Sequence, residues 1–124
     1  MLESTKTREF ERAMAELQQG LWVVKTEERY EPTFSYRWDL LEAWLPDAVA
    51  EGRRLSRAAA LDRLVTRYLD TAVFSTSRGL ARLFGLSPAD VAGCVTRLVR
   101  RGAVVETPVA GWPGDWLVAS AAMR

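Results

Sequence analysis

Arginine is the residue type whose chemistry and spacing first suggest a function for this sequence. Arg97, Arg100 and Arg101 lie at the end of one amphipathic segment, and Arg78 and Arg82 lie four residues apart in the segment before it. Residues three or four apart share one face of a helix, and guanidinium groups bind phosphate oxygens. The pattern therefore predicts two neighbouring helices whose arginine rows border one phosphate-binding surface.

Other reactive chemistry has few residues available to it. The sequence has no histidine and a single cysteine, Cys94, which excludes histidine-based activation of a nucleophile and a zinc cluster. It contains no glycine-rich loop of the Walker or dinucleotide-binding type. Glu27, Glu28 and Glu31 are interpreted as a solvated loop, and Cys94 as a core residue on an apolar helix face. We therefore expect no enzyme activity, no cofactor and no metal.

Length and hydrophobicity restrict the class of protein. The 124 residues, 48% of them apolar, can form one ordinary domain or two very small ones that share a core. No apolar run approaches the roughly 20 residues of a membrane-spanning helix. The amino terminus is charged from the start and has no signal-peptide pattern, and a single cysteine suits a reducing compartment. We therefore expect a cytoplasmic protein without a membrane partner.

The net charge of +1 combines two halves of opposite sign. Residues 1–54 contain 8 Lys and Arg against 11 Asp and Glu, and residues 55–124 contain 9 against 5. The halves therefore carry charges of −3 and +4. The second half can offer a basic surface to phosphates, although so small an imbalance is also found on ordinary solvated surfaces.

The amino-terminal half predicts a helix, a β-hairpin and a short second helix. Thr7 is expected to cap the first helix, and Gly20 to end it. The runs LWVVKT and FSYRWDL are typical of paired strands, and the second alternates aromatic with polar residues. Asp39 and Glu42 have capping-box spacing and predict the start of the helix LLEAW, which Pro46 is expected to stop or bend.

The carboxy-terminal half predicts three helices. The first begins at about Ser56 and carries an apolar stripe of Leu61, Leu64, Val65, Tyr68 and Leu69. The second is short and ends at Gly85. Ser87 is expected to cap the third, with Pro88 at its first position and Asp90 three residues after the cap. That third helix is expected to bury Val91, Cys94, Val95 and Leu98 and to stop at Gly102. Two helices joined by so short a turn form a helix-turn-helix.

A β-hairpin is expected to follow the helices. AVVETPVA and WLVAS predict its strands, and the run from Trp112 to Asp115 predicts a type II turn between them. Trp112, at the tip, is expected either to be an exposed contact or to pack back on the strands. Helix, helix and hairpin is the winged-helix order, so the predicted fold is α+β of winged-helix type. The alternative is an unrelated helical hairpin beside a β-ribbon.

These elements predict the organisation of the chain. Residues 1–50 are expected to be a partial winged-helix unit, resembling the end of another winged helix, and residues 55–124 a winged-helix domain. Residues 51–54, EGRR, are the candidate linker. We expect both parts to form one compact structural unit.

The exposed face of the third helix predicts weak base recognition. Side chains that read base edges are mainly Arg, Lys, Asn and Gln near the leading end of such a helix. Here that end offers Ala89, Asp90 and Gly93. Contacts are therefore expected to be mainly with phosphates. The predicted nucleic-acid-binding residues are Arg78, Arg82, Thr96, Arg97, Arg100, Arg101 and Trp112.

Two segments resemble a family of bacterial DNA glycosylases built from tandem winged helices. Residues 17–46, ending in YRWDLLEAWLP, and residues 61–118, ending in VAGWPGDWLV, are similar to two successive winged helices of that family. Its members unhook interstrand crosslinks and excise alkylated bases. Their catalytic Gln-x-Gln or Gln-x-Asp motif has no counterpart, because Gln18 and Gln19 are adjacent, and no segment matches the family's third module. The resemblance implies a short, non-catalytic relative.

Two functions remain open at this point. The first is a nucleic-acid-binding module that contacts double-stranded DNA, related to DNA repair. The second is a protein-interaction or dimerisation winged helix, because an incomplete first unit exposes apolar surface that a second copy can cover.

Overall fold

Two groups of helices and strands make up the chain in the computed structural model, which describes residues 2–123. Backbone contacts divide the chain into Met1–Arg54, the amino-terminal unit, and Leu55–Arg124, the carboxy-terminal unit. Each unit combines helices with one small antiparallel sheet, so the predicted α+β class is confirmed.

The amino-terminal unit contains α1 (Leu2–Gln19), β1 (Val23–Arg29), β2 (Ser35–Leu40), α2 (Leu41–Trp44) and α3 (Pro46–Arg54). The carboxy-terminal unit contains α4 (Arg57–Ala72), β3 (Phe74–Ser75), α5 (Ser77–Phe84), α6 (Pro88–Arg100), β4 (Val104–Val109), β5 (Trp112–Ala119) and the 3-10 turn Ser120–Met123. Residues 51–54, predicted as a linker, are the last residues of α3.

The two ends of α1 differ from the prediction. Thr7 lies inside the helix, where its hydroxyl donates to the Glu3 carbonyl at 2.8 Å, so it is not the cap. The helix ends before Gly20 as expected, but the left-handed residue is Leu21, with φ 57°. A Cβ on Gly20 would lie 2.6 Å from Cδ1 of Trp22. Gly20 therefore leaves space for that ring, and its own backbone angle does not call for glycine.

Strands β1 and β2 form the predicted hairpin, with an irregularity between Lys25 and Glu27. The capping-box prediction is wrong, because Asp39 lies in β2 and its carboxylate accepts a hydrogen bond from Thr26 on β1. Leu40 precedes α2 and makes no side-chain cap. Pro46 begins α3, a position where proline's missing amide hydrogen costs nothing.

The amino-terminal unit has no buried core of its own. Among residues 3–54, whose side chains the structure describes, none is buried. Its exposed large apolar residues are Phe10, Leu17, Leu21, Trp22, Tyr30, Phe34, Tyr36, Leu40, Trp44 and Leu45. A two-stranded sheet without a covered hydrophobic face has little intrinsic stability in water.

The carboxy-terminal unit, by contrast, encloses a core. Its buried apolar residues are Leu61, Val65, Leu69, Leu80, Val91, Cys94, Val95, Leu98, Val104, Leu117, Val118 and Ala119. The four residues predicted to be buried on α6 are therefore confirmed. Leu64 was predicted in the core stripe of α4 but is 41% exposed.

Local caps place α5 and α6 as predicted. Gly85 takes the left-handed conformation and ends α5, and the Ser87 hydroxyl accepts the Asp90 amide at 3.1 Å at the start of α6. Gly102, with φ 73°, follows the end of α6. The three-stranded sheet has the order β3-β5-β4 and is antiparallel throughout.

The predicted turn at residues 112–115 is wrong. The β4–β5 connection lies at Ala110 and Gly111, and Trp112 already belongs to β5. Gly114 does have a positive φ, 79°, but it lies where the register shifts between Pro108 and Val109. A bulge needs the same backbone freedom as a type II turn, so the glycine has the expected conformation in a different structure.

Replacement of Leu21 by glycine is expected to stabilise the end of α1 by about 1 kcal/mol, because a left-handed conformation strains any residue with a Cβ. Leu21 is 65% exposed, so little apolar burial is lost. Thermal unfolding followed by circular dichroism should show a higher Tm for Leu21→Gly. The matched variant Gly20→Ala should have a lower Tm because its methyl group meets Trp22. Equal or inverted shifts would show that this helix end is misassigned.

Candidate nucleic-acid interface

A buried carboxylate on α4 pairs with some of the arginines of the predicted surface. Asp62 is 5% exposed, and both of its oxygens lie 3.1 Å from Nε of Arg97, with Nη2 of Arg97 at 2.8 Å from Oδ1. Nη1 of Arg101 lies 3.1 Å from Oδ2 of the same group. One carboxylate therefore pairs with two of the five predicted arginines.

The electrostatics of this cluster keep Asp62 ionised. Burial alone would raise the pKa of Asp62, but the hydrogen bonds from Arg97 and Cys94 and the two guanidinium charges outweigh it, so the pKa lies below its ordinary value. Burial, with the neighbouring Asp62, raises the pKa of Cys94 to about 11. Cys94 thus remains a protonated thiol within the core.

The prediction that Arg97 lies on an exposed face is therefore wrong. Its side chain is 33% exposed, and its guanidinium is held against α4. Sequence reasoning missed Asp62 because it precedes Arg97 by 35 residues. The available signal was an acid beside the apolar stripe of α4, between Leu61 and Val65, where an unpaired charge would be costly.

A second ion pair neutralises the leading end of α6. Nη2 of Arg57, the first residue of α4, lies 2.9 Å from Oδ2 of Asp90. The Arg57 guanidinium, followed by the Ser87 hydroxyl, holds the pKa of Asp90 below its ordinary value. The negative charge of Asp90 at this end of α6 is therefore compensated.

Four of the predicted arginines are exposed: Arg101, which is paired with Asp62, and Arg78, Arg82 and Arg100. Arg78, Arg82 and Arg100 form no ion pair with an acid within residues 3–123. Arg78 and Arg82 line a shallow depression of about 350 Å³ together with Thr76 and Gly79. The Thr76 hydroxyl accepts the Gly79 amide there at 2.9 Å, at the amino-terminal, electropositive end of α5.

The exposed arginines lie at opposite ends of α6. Arg78 lines a second depression with Pro88 and Val91, in the first turns of α6, whereas Arg100 is the last residue of that helix. The rise from Val91 to Arg100 is about 14 Å, against a major-groove width of about 12 Å. Arg78 and Arg100 therefore lie beside opposite ends of α6, separated along the helix axis by roughly the width of a major groove.

Thr96 and Trp112 are both accessible but already engaged. The Thr96 hydroxyl donates to the Ala92 carbonyl at 2.9 Å. Trp112 is 55% exposed and makes edge contacts with Phe74 and Trp116, each at a centroid distance of 5.6 Å. Both expectations for Trp112, exposure and packing on the strands, are therefore partly met.

The β4–β5 hairpin adds no positive charge to this surface. Residues 102–123 contain neither lysine nor arginine. Its aromatic tip can contact apolar or stacked groups but cannot pair with phosphates.

Two further properties bear on the class of protein. In the part of the chain that the structure describes, no group of three or more His, Cys, Asp or Glu side chains could hold a metal ion. Over the same residues, no helix combines the length and the hydrophobicity that crossing a membrane requires.

Exposed arginines on two packed helices form a basic surface of the kind that contacts a polyanion such as DNA. The family described as DNA glycosylase AlkZ-like matches residues 2–123, and the chain belongs to this family. The resemblance found in the sequence is thereby confirmed, and it connects the protein with DNA repair. No curated protein matches the chain, and no solved structure matches it.

Replacement of Asp62 by alanine is expected to lower the free energy of unfolding by about 2–3 kcal/mol, because it leaves the partly buried Arg97 without its carboxylate partner. Since the folded-state pKa of Asp62 lies below 3.8, this stabilisation is present at neutral pH and is lost as the pH falls through that folded-state value. Urea unfolding at pH 7 and in strong acid measures both effects.

Asp70→Ala is the control, since it removes an exposed acid from the same helix. The difference between wild type and Asp62→Ala should shrink in acid, whereas Asp70→Ala should stay within about 0.5 kcal/mol of wild type. Equal stabilities of the two variants at pH 7 would contradict the structural role of Asp62.

Proposed function

We propose that this chain is a non-catalytic DNA-binding module whose carboxy-terminal unit is a winged helix that contacts the phosphate backbone with low sequence specificity. The observation that carries the proposal is the set of three exposed arginines, Arg78, Arg82 and Arg100, on α5 and α6. Membership of a DNA glycosylase family supplies DNA as the polyanion.

The order of elements supports the winged-helix assignment. Helix α4 is followed by the short strand β3, the pair α5 and α6, and the hairpin β4–β5, which completes a three-stranded sheet with β3. Only Gly85, Leu86 and Ser87 separate α5 from α6, and the two helices pack on each other. In a helix-turn-helix the second helix enters the major groove. In this chain the second helix is α6.

The side chains at the start of α6 favour low sequence specificity. Pro88 and Ala89 have no hydrogen-bonding side chain, and the Asp90 carboxylate is paired with Arg57. The chain contains no asparagine, and its two glutamines, Gln18 and Gln19, are in α1 of the other unit. The amide side chains that read adenine are therefore lacking on α6.

The acids near this surface favour a non-catalytic role. Asp62 and Asp90 are both paired with arginines, which lower their pKa values and make them poor proton acceptors at neutral pH. The family's spaced glutamine motif has no counterpart in the adjacent Gln18 and Gln19. We infer that this member binds DNA without excising a base.

The salt dependence of DNA affinity is expected to increase with the number of arginines that contact phosphates. Three phosphate contacts predict a slope of log affinity against log salt of about −2.7, at about −0.9 per contact. Arg78→Ala combined with Arg82→Ala should reduce this slope by about 1.8 and weaken duplexes of different sequence equally. Fluorescence anisotropy with labelled duplexes at several salt concentrations measures both quantities.

Arg67→Ala is the charge-matched control for Arg100→Ala, because Arg67 is an exposed arginine on α4. Arg100→Ala should reduce the slope by about 0.9, while Arg67→Ala should leave it unchanged. A salt-independent wild type, or equal effects of these two variants, would reject the proposed surface.

The purified chain is expected not to release alkylated bases or to unhook crosslinks, because it has neither the spaced glutamine motif nor a histidine. Incubation with alkylated duplex DNA followed by chromatography of free bases tests this directly. Base release above the protein-free control that is lost in Gln18→Ala or Gln19→Ala would establish catalysis and refute the non-catalytic assignment.

A further inference from the structure

The outer edge of β2 is a free strand edge of the amino-terminal unit, where further stabilising hydrogen bonds can form. β2 has β1 on one side and no other strand beside it among the described residues. Ser35, Tyr36, Arg37 and Leu40 are exposed along it. A free strand edge presents unpaired amide and carbonyl groups, which are a template for pairing with another strand.

The backbone direction of β2 identifies the residues at this edge. The Leu41 amide donates to the Trp22 carbonyl at 2.9 Å, so Leu41 continues the ladder towards β1. Because neighbouring residues alternate in direction, Arg37 and Asp39 also turn their backbone groups towards β1. Tyr36, Trp38 and Leu40 therefore direct their N–H and C=O groups outwards.

The side chains of β2 divide between two faces of the sheet. Tyr36, Trp38 and Leu40 share one face, where the Tyr36 and Trp38 rings lie 6.1 Å apart. Arg37 and Asp39 share the other face, with Nε of Arg37 at 3.6 Å from Oδ2 of Asp39. The strand thus has one apolar face and one charged face. On the charged face, the positive charge precedes Trp38 in the sequence and the negative charge follows it.

We propose that β2 pairs antiparallel with β2 of a second copy of this chain, about a two-fold axis at Trp38. Trp38 then faces Trp38 of the other copy, and Tyr36 faces Leu40. Arg37 of each copy faces Asp39 of the other copy, so two ion pairs form across the axis. The outward backbone groups of the two strands form about six hydrogen bonds in this register.

Charge complementarity selects this register and this occupant. Moving the axis to Arg37 places the two arginines opposite each other, and an axis between two residues brings the apolar face of one strand against the charged face of the other. With the axis at Trp38, β2 is therefore complementary to itself, because both of its charges meet a charge of opposite sign. Pairing converts two isolated hairpins into one four-stranded sheet with a shared apolar face, which exceeds the three strands needed for independent stability.

The edge of β1 is a poorer template for the same pairing. Its register shifts between Lys25 and Glu27, and such irregularities disrupt strand pairing. β2 pairs without an inserted residue from Ser35 to Leu40.

Charge-swap variants of the full chain test the dimer. By sedimentation equilibrium over about 10–300 µM, wild type should reach twice the 13.9 kDa chain mass. Arg37→Asp and Asp39→Arg should each remain at the single-chain mass, because like charges then meet across the axis. An equimolar mixture of the two variants should restore the doubled mass, as should the double variant Arg37→Asp with Asp39→Arg.

Arg12→Asp is the matched control, since it makes the same charge change on α1 of the same unit and should leave the dimer intact. Circular dichroism of each variant verifies folding, and Arg37→Asp retains the hydrogen bond between Thr26 and Asp39. A wild type at single-chain mass throughout, or a dimer that survives Arg37→Asp, would overturn the proposal. DNA affinity measured on the same samples tests the proposed function separately, because its arginines lie in the other unit.

Discussion

The ion pair between Asp62 and Arg97 is the interaction on which the organisation of the carboxy-terminal unit depends. It joins α4 to α6 through charged groups that have lost most of their contact with water. Breaking such a pair by removing one partner leaves a charge without compensation, which is why it restricts the relative position of the two helices. Val65 and Leu69 of α4 belong to the same buried core cluster as the apolar side chains of α6, but such packing does not by itself specify one geometry.

The same pair determines the charge of the candidate DNA surface. Asp62 compensates Arg97 and draws in Arg101, while Arg57 compensates Asp90 at the other end of α6. The acids and bases of α4 thus cancel charges of α6, whereas Arg78, Arg82 and Arg100 on α5 and α6 keep an accessible positive charge. A net charge of +4 for this half of the chain is therefore distributed by tertiary pairing. It is not a uniform property of the α6 face.

The two units are stabilised by different kinds of interaction. The carboxy-terminal unit buries twelve apolar side chains among three helices and a sheet. The amino-terminal unit relies on backbone hydrogen bonds, on aromatic contacts such as Phe34 with Tyr36 at 4.8 Å, and on Lys25 stacked 3.7 Å above Tyr36. Each of these contacts contributes little to stability. The proposed intermolecular sheet would stabilise the amino-terminal unit, while the carboxy-terminal unit would carry the DNA surface.

Local sequence patterns by themselves determined most of the carboxy-terminal fold. Ser87, Pro88 and Gly85 act within a few residues of their own positions, and the spacing of Val91, Cys94, Val95 and Leu98 follows from the period of one helix. These signals do not require knowledge of any distant residue. The family resemblance belongs to the same level, since it rests on contiguous motifs.

Only the tertiary structure decided which charges are free and where the chain turns. Arg97 has the same spacing as an exposed arginine, but its partner lies on another helix. Gly114 suits a turn or a bulge equally well, and the register of β4 on β5 decided for the bulge. In each case the deciding contact is made by a residue whose position the local pattern does not contain.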